Sequence, residues 1–187
     1  MPFPTITTIE SPRLTLRPAV IADIADLLPI NGDDEVTRFL PYASWRSLAD
    51  GLAWLTRMDA LAVAGTGQQL VVVRRDTAQL VGSLLLFKHD ETSQRLELGY
   101  VLGRSHWGQG LMREAVVAAC GHVFVSRGMR RIEAEVNPAN TASCKLLLNV
   151  GFTHEGTLRQ RWVSKGAPYD THIFGCLAQE WQAGPGR

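Results

Sequence analysis

The sequence lacks several features that mark particular classes of protein. Its 187 residues include only three cysteines, an odd and scattered number that argues against a disulfide framework and fits a reducing cytoplasm. The formal net charge is +1, so the composition gives no indication of a nucleic-acid partner. No apolar run is long enough for a membrane span, no signal-peptide pattern is present, and the histidines show no metal-ligand spacing. We therefore expect a cytoplasmic protein without metal or membrane association.

The remaining composition is that of an ordinary globular chain. Hydrophobic residues make up 45% and charged residues 20%, and this length suits one domain with a sizeable core. We expect a lead-in at 1–12, which contains three prolines, one domain at 13–181, and a short tail at 182–187. The sequence leaves open whether the protein is a monomer or a homodimer.

Hydrophobic periodicity predicts an α/β fold with a mixed sheet of about seven strands. Short links between the three strands in 69–102 favour an antiparallel meander, whereas the strand–helix–strand unit at 94–136 requires a parallel crossover. We expect a final hairpin with a turn at 165–168. The predicted strands are 13–17, 69–75, 80–88, 94–102, 131–136, 153–163 and 170–177, and the predicted helices are 21–30, 33–39, 48–64, 110–127 and 141–150.

A glycine-rich turn lies between one of these strands and the helix that follows it. The strand ends near Leu102, and Gly108-Gln109-Gly110 precedes a helix that begins near Leu111. Free N–H groups in a first helical turn attract anions, and glycines let a phosphate approach the backbone closely. The same spacing also serves as a plain tight turn. It is neither a Walker A loop nor a complete G-x-G-x-x-G, because Arg113 stands where the third glycine would be.

A second cluster surrounds the start of the predicted helix at 141–150. Asn140 and Ser143 are also suited to a plain helix N-cap and first turn. However, residues 136–152 read VNPANTASCKLLLNVGF and resemble the N-x-x-S…G-F signature of the Gcn5-related N-acetyltransferase superfamily. The chain is most similar to its ribosomal-protein N-terminal acetyltransferase branch from about 13 to 177. That similarity also includes RLTLRP, LELGYVL, WGQGLMREA, the Glu155-Gly156 pair and Asp170.

The resemblance implies that acetyl-CoA lies where two parallel strands of the sheet splay apart. Its pantetheine arm pairs with the first of these strands, its pyrophosphate rests on the glycine turn, and Asn140 contacts the pantetheine. The sequence departs from the family at Ser105, where relatives carry Gln or Arg, and at Leu147, where many carry a tyrosine general acid. The implied strand residues are Gly99, Tyr100, Val101 and Leu102, and the implied turn residues are Trp107, Gly108, Gln109, Gly110, Leu111 and Met112.

Few residues are suited to the proton transfers of an acetylation. Glu97 is our first candidate for the base, because a carboxylate inside a central strand is half buried and raised in pKa; a solvated or arginine-paired carboxylate is the plain alternative. Glu135 is the second candidate, although its alternation with charged neighbours favours an exposed face. Ser143 is the candidate for guiding a proton to the leaving thiolate. For the acceptor groove we expect Glu135, Tyr169 and Asp170, the last being equally suited to pair with a nearby arginine.

The main expectation is thus an acetyl-CoA-dependent N-acetyltransferase. We expect direct attack in a ternary complex by the α-amine of a protein or peptide, such as a ribosomal protein. The chain has no dense acidic run, so a highly charged polyamine fits poorly. Two alternatives remain open: a small-molecule amine acetyltransferase, acting on a polyamine, amino acid or antibiotic, and a non-catalytic acyl-CoA-binding sensor.

Overall fold

One eight-stranded sheet forms the centre of the computed structural model, which describes residues 3, 5–164 and 166–183. Its spatial order is β1-β2-β3-β4-β5-β6-β8-β7, and only the pairing of β5 with β6 is parallel. The predicted mixed, mostly antiparallel sheet is confirmed, and a two-residue strand at the N-terminus makes it eight-stranded. The strands are β1 Ile9–Glu10, β2 Leu14–Pro18, β3 Gln68–Arg74, β4 Leu80–Asp90, β5 Arg95–Leu102, β6 Arg131–Val136, β7 Thr153–Ser164 and β8 Ala167–Leu177.

Five α-helices accompany the sheet among the described residues. A capping box begins the second of them, where the backbone N–H of Ser47 donates to Asp50 at 2.9 Å. The helix predicted at 110–127 is α-helical to Gly121 and continues as a π-helical segment, His122–Ser126. None of the described helices is long and apolar enough to cross a membrane. The helices are α1 Ile24–Asn31, α2 Leu48–Val63, α3 Leu111–Gly121, α4 Thr141–Val150 and α5 Ala178–Ala183.

Apolar clusters cover both faces of the sheet. The larger one packs α3 and α4 onto strand residues such as Leu70 and Leu96, and the smaller one packs α1 and α2 onto Val71 and Leu80. Successive strand residues point to opposite faces, so β3 and its neighbours are buried on both sides. One helical layer therefore lies on each face of the sheet: α3 and α4 on one face, and α1 and α2 on the other.

Two sequence predictions differ from the structure, and a third falls partly outside the described residues. Residues 33–39 form turns rather than a helix, because Asp33 accepts the N–H of Glu35 at 2.9 Å and pairs with Arg104, and such aspartate bonds compete with helical ones. The expected loose lead-in instead contributes Phe3, Ile6 and Ile9 to the core. The predicted hairpin turn includes position 165, which lies outside the described residues.

Candidate active site

Strands β5 and β6 pair over only three residues and then diverge. The parallel register runs from Arg95 opposite Arg131 to Glu97 opposite Glu133. Beyond that point β5 pairs only with β4, and β6 pairs only with β8. The β6-facing backbone groups of 98–102 thus have no strand partner, and an extended ligand can pair with them as an added strand. The predicted splay is therefore present where the sequence placed it.

The glycine turn after β5 has the conformation of an anion site. Gly108 and Gly110 both have φ near +73°, in the left-handed region that glycine adopts without steric cost. Gly110 is the N-cap of α3 and has no side chain to cap it, so first-turn N–H groups are left for another acceptor. The guanidinium of Arg13 donates to the carbonyl of Gln109 at 3.1 Å, which brings a cation to a turn whose own sequence has Ser105 instead of Gln or Arg.

The start of α4 faces the splay. Asn140 is the N-cap, and its Oδ1 accepts the backbone N–H of Ser143 at 3.2 Å. The hydroxyls of Ser143 and Tyr100 lie 2.6 Å apart. Burial raises the pKa of Tyr100, and the bond to Ser143 offsets this only in part. The phenol therefore stays protonated and able to donate. A tyrosine hydroxyl from β5 therefore lies at the start of α4. The helix itself has no tyrosine at position 147, where many relatives carry one; this residue is a fully buried leucine.

Glu97 lies on the opposite face of β5, as its alternation with Leu96 and Leu98 predicted. Its side chain is 9% exposed and accepts a 2.6 Å bond from Lys88 Nζ, so it is neither solvated nor paired with an arginine. Burial, with smaller contributions from Glu135 and Glu133, raises the pKa of Glu97 even though Lys88 lowers it. The pKa of Lys88 is also raised, because its bonds to the carboxylates outweigh the effect of burial. An ion pair alone would lower the pKa of Glu97. The raised pKa of Glu97 is nevertheless consistent with the pair, because burial is the largest effect on this carboxyl.

A cavity of about 530 Å³ connects these groups. It runs from the splay and Ser143, past Glu97, to the segment 39–42, α2 and the β7–β8 hairpin. The wall is rich in aromatic rings, and Thr171 contributes a hydroxyl that is 1% exposed and has no hydrogen-bond partner among the described residues. The lining aromatic side chains outside β5 are Phe39, Tyr42, Trp54, Phe87, Trp162 and Tyr169.

Half of the sixteen residues predicted for the site line this cavity. The strand residues 99–101 do so, and so do the following: Glu97, Glu135, Asn140, Ser143 and Tyr169. Leu102 and the turn residues 107–112 do not line it. Leu111 and Met112 bury their side chains in the core, and Trp107 Nε1 donates to the carbonyl of Leu102 at 2.8 Å.

Two expectations about the acceptor side are corrected. The face that carries Glu135 is not exposed: its side chain is 15% exposed, lines the cavity, and accepts a 2.6 Å bond from Trp162 Nε1. Asp170 does not line the cavity and forms no ion pair with an arginine in the described part of the chain. It accepts the N–H of Gln160 at 2.9 Å, next to a bulge in the hairpin. The carboxylate is thus turned back onto β7.

Sequence reasoning missed several cavity residues. The side chains of Lys88, Tyr42 and Trp162 come from a bulge, a turn and an edge strand, where no periodic pattern predicts direction. Thr171 was not predicted, although it directly follows Asp170 in β8. The alternation of side chains along that strand was the available signal, because it puts the two residues on opposite faces. No group of three or more His, Cys, Asp or Glu suited to holding a metal ion occurs in the described part of the chain.

Comparisons with known proteins agree with this geometry. Residues 13–153 match the family model described as an acetyltransferase (GNAT) domain. The uncharacterized N-acetyltransferase p20 of Bacillus licheniformis is 32% identical over 93% of this chain and 98% of its own. The ribosomal-protein-serine acetyltransferase of Escherichia coli is 27% identical over 59% of this chain and 60% of its own. Mycobacterium smegmatis RimJ, solved with CoA-disulfide, aligns with a TM-score of 0.82 at 25% identity, covering 89% of this chain and 83% of that one.

Proposed function

Because the chain belongs to the GNAT acetyltransferase family, we propose that it transfers an acetyl group from acetyl-CoA to the N-terminal α-amine of a protein or peptide. The observation that carries this proposal is the divergence of β5 from β6 after three paired residues, beside an open cavity. An extended thioester arm entering there meets a carboxylate on one face of β5 and a hydroxyl pair on the other.

Acetyl-CoA binding is supported by the free edge of β5 and by the glycine turn. We assign the pantetheine arm to 99–101, with the amide of Asn140 beside it, and the pyrophosphate to the turn at 107–112. The N–H groups at the start of α3 and the helix dipole favour negative charge there. A backbone N–H near Val101 is suited to polarising the thioester carbonyl.

Glu97 is our proposed general base. An α-amino group has a pKa of about 7.7–8.0, so roughly a tenth of it is already neutral at pH 7. The rest of the α-amine is still protonated. A carboxylate with a raised pKa, acting through one water, is a sufficient acceptor for its proton. Burial gives Glu97 that raised pKa, and its position beside Glu135 favours a cationic acceptor. Positioning the amine against the bound thioester contributes the rest.

Ser143 is our proposed proton donor to the departing thiolate, with Tyr100 behind it. The phenol is a donor at neutral pH, because its pKa is raised by burial. When Tyr100 donates to Ser143 Oγ across 2.6 Å, the serine hydrogen is free to point at the thiolate. Ser143 and Glu97 lie on opposite faces of β5, so the two proton transfers do not compete for one group.

The peptide class of acceptor is supported by the shape of the cavity and by one relative. The β7–β8 hairpin contributes Trp162 and Tyr169 to the wall of the cavity, and segment 39–42 and α2 contribute further side chains. Such an open, aromatic groove accommodates a chain beyond its terminal amine. The Escherichia coli relative is named as a ribosomal-protein-serine acetyltransferase, and we extend protein substrates of this kind to the present chain.

The test is a thiol-release assay with acetyl-CoA and peptides that differ only in a free or a blocked N-terminus. We expect release only with the free N-terminus, and mass spectrometry should locate the acetyl group there. Calorimetric titration of acetyl-CoA runs in parallel. Tight acetyl-CoA binding without turnover of any amine would favour a sensor, and turnover of small amines alone would favour a small-molecule acetyltransferase.

A further inference from the structure

Lys88 occupies the acceptor end of the cavity in an unusual way. Its Nζ lies 2.6 Å from Glu97 Oε2 and 3.4 Å from Glu135 Oε1. It also lies 5.3 Å and 5.8 Å from the ring centroids of Phe87 and Trp162. Two carboxylates and two aromatic faces are the partners that an ammonium group prefers. An ammonium of the protein itself is therefore held in a site with the chemistry of an ammonium receptor.

The backbone is distorted at this position. Neighbouring residues of a regular strand point to opposite faces, yet Phe87 and Lys88 both line the cavity. This is possible because the register of β4 against β5 shifts between Phe87 and Asp90, and Lys88 has φ near +52°. Left-handed backbone is unfavourable for a lysine, and bulges of this kind re-aim side chains next to active sites. The strained backbone at Lys88 is thus part of the bulge that directs its ammonium group towards Glu97.

A second feature indicates that the same cavity receives a ligand. The hydroxyl of Thr171 lines the cavity, is almost completely buried, and has no partner among the described residues. Buried hydroxyls are nearly always hydrogen-bonded, so a ligand group is the natural partner here. Lys88, by contrast, keeps 44% of its side chain exposed and can swing outward without disturbing the core.

We propose that Lys88 is an internal occupant of the acceptor's ammonium position, and that the acceptor binds as a primary ammonium by displacing it from Glu97 and Glu135. This rests on the proposed function, because it assigns the ligand of the same cavity. In the empty protein Lys88 donates to two adjacent carboxylates and offsets part of their charge. On acceptor binding the incoming ammonium takes over both, and the polar group next to it reaches Thr171.

The experiment uses n-butylammonium, which carries the charge, and 1-pentanol as a neutral molecule of similar size. No acetyl-CoA is added, so the result does not depend on whether acetyl transfer occurs. The chain has three lysines, Lys88, Lys145 and Lys165, and ¹⁵N-lysine NMR can follow each Nζ. We expect n-butylammonium to move the Lys88 Nζ signal to that of an exposed lysine, whereas 1-pentanol leaves it unchanged.

Calorimetry supplies the second readout. Lys88→Met should bind n-butylammonium at least fivefold more tightly than the wild type, and Lys145→Met, on the exposed surface of α4, should bind like the wild type. Lys88→Gly relieves the left-handed strain and provides a folded variant if the methionine variant unfolds. Three results would each overturn the proposal. They are weaker or unchanged binding of n-butylammonium by both Lys88 variants, no binding to any form, and binding to the wild type without a change in the Lys88 signal.

Discussion

Replacing Glu97 with glutamine removes the proposed base while keeping the size of the side chain and an oxygen for Lys88. General-base catalysis contributes about 10²- to 10⁴-fold, and the low end applies to an α-amine that is already roughly a tenth neutral at pH 7. We therefore expect kcat/KM at pH 7 to fall on the order of 10²-fold. At pH 9 such an amine is about nine-tenths neutral, so the variant gains roughly ninefold and the deficit shrinks to about tenfold.

The assay is thiol release across pH 6–9 with saturating acetyl-CoA. Glu133→Gln is the matched control: it lies on β6 opposite Glu97, but pairs with Arg95 and Arg131 outside the cavity. This control should stay close to wild-type kcat/KM, because Glu133 contributes less than burial does to the raised pKa of Glu97. A Glu97→Gln deficit that stays constant across the pH range would refute the reasoning, because structural damage does not depend on the ionisation of the acceptor.

Three further predictions follow from the site. Gly110→Val should lower acetyl-CoA affinity in calorimetry and cost about 1–2 kcal/mol of stability, because φ is near +73°; Gly128→Val, at φ near +64° far from the turn, should cost similar stability with unchanged affinity. Tyr100→Phe should lower kcat about tenfold with an unchanged KM, and adding it to Ser143→Ala should cause no further loss, whereas additive losses would separate the two hydroxyls. The pKa of Glu97 is raised in the folded state, so its ionisation costs stability as pH rises through that pKa. The Tm of Glu97→Gln should therefore rise relative to that of the wild type from pH 4 to pH 7. A relative fall in Tm would contradict a raised pKa for Glu97.

The sequence predicted the elements whose causes are local. Glycines at 108 and 110 need left-handed backbone, Ser47 and Asp50 form a capping box, and Gly151 closes α4 with φ near +105°. Each of these is decided by neighbouring residues, so pattern and residue type were sufficient. The parallel crossover was predictable as well, because a helix between two strands leaves little choice of direction.

The side chains that complete the site depend on long-range packing. Tyr100 and Ser143 are 43 residues apart, and only the folded sheet brings their hydroxyls together. Strict alternation assigns Lys88 to the face opposite Phe87, and a bulge reverses that assignment. Asp170 does not line the cavity for a similar reason, because a bulge in the hairpin turns its carboxylate onto a backbone N–H. Irregular strands are where period-two reasoning fails, and here two of them border the site.

The most direct test of the α-amine assignment is a comparison of acceptors at fixed acetyl-CoA. The panel contains short peptides with a free N-terminus, the same peptides with a blocked N-terminus and a free lysine side chain, spermidine and an aminoglycoside. We predict the highest kcat/KM for a free peptide N-terminus. A spermidine or aminoglycoside value tenfold above every peptide, which equals about 1.4 kcal/mol of transition-state binding, would contradict the account.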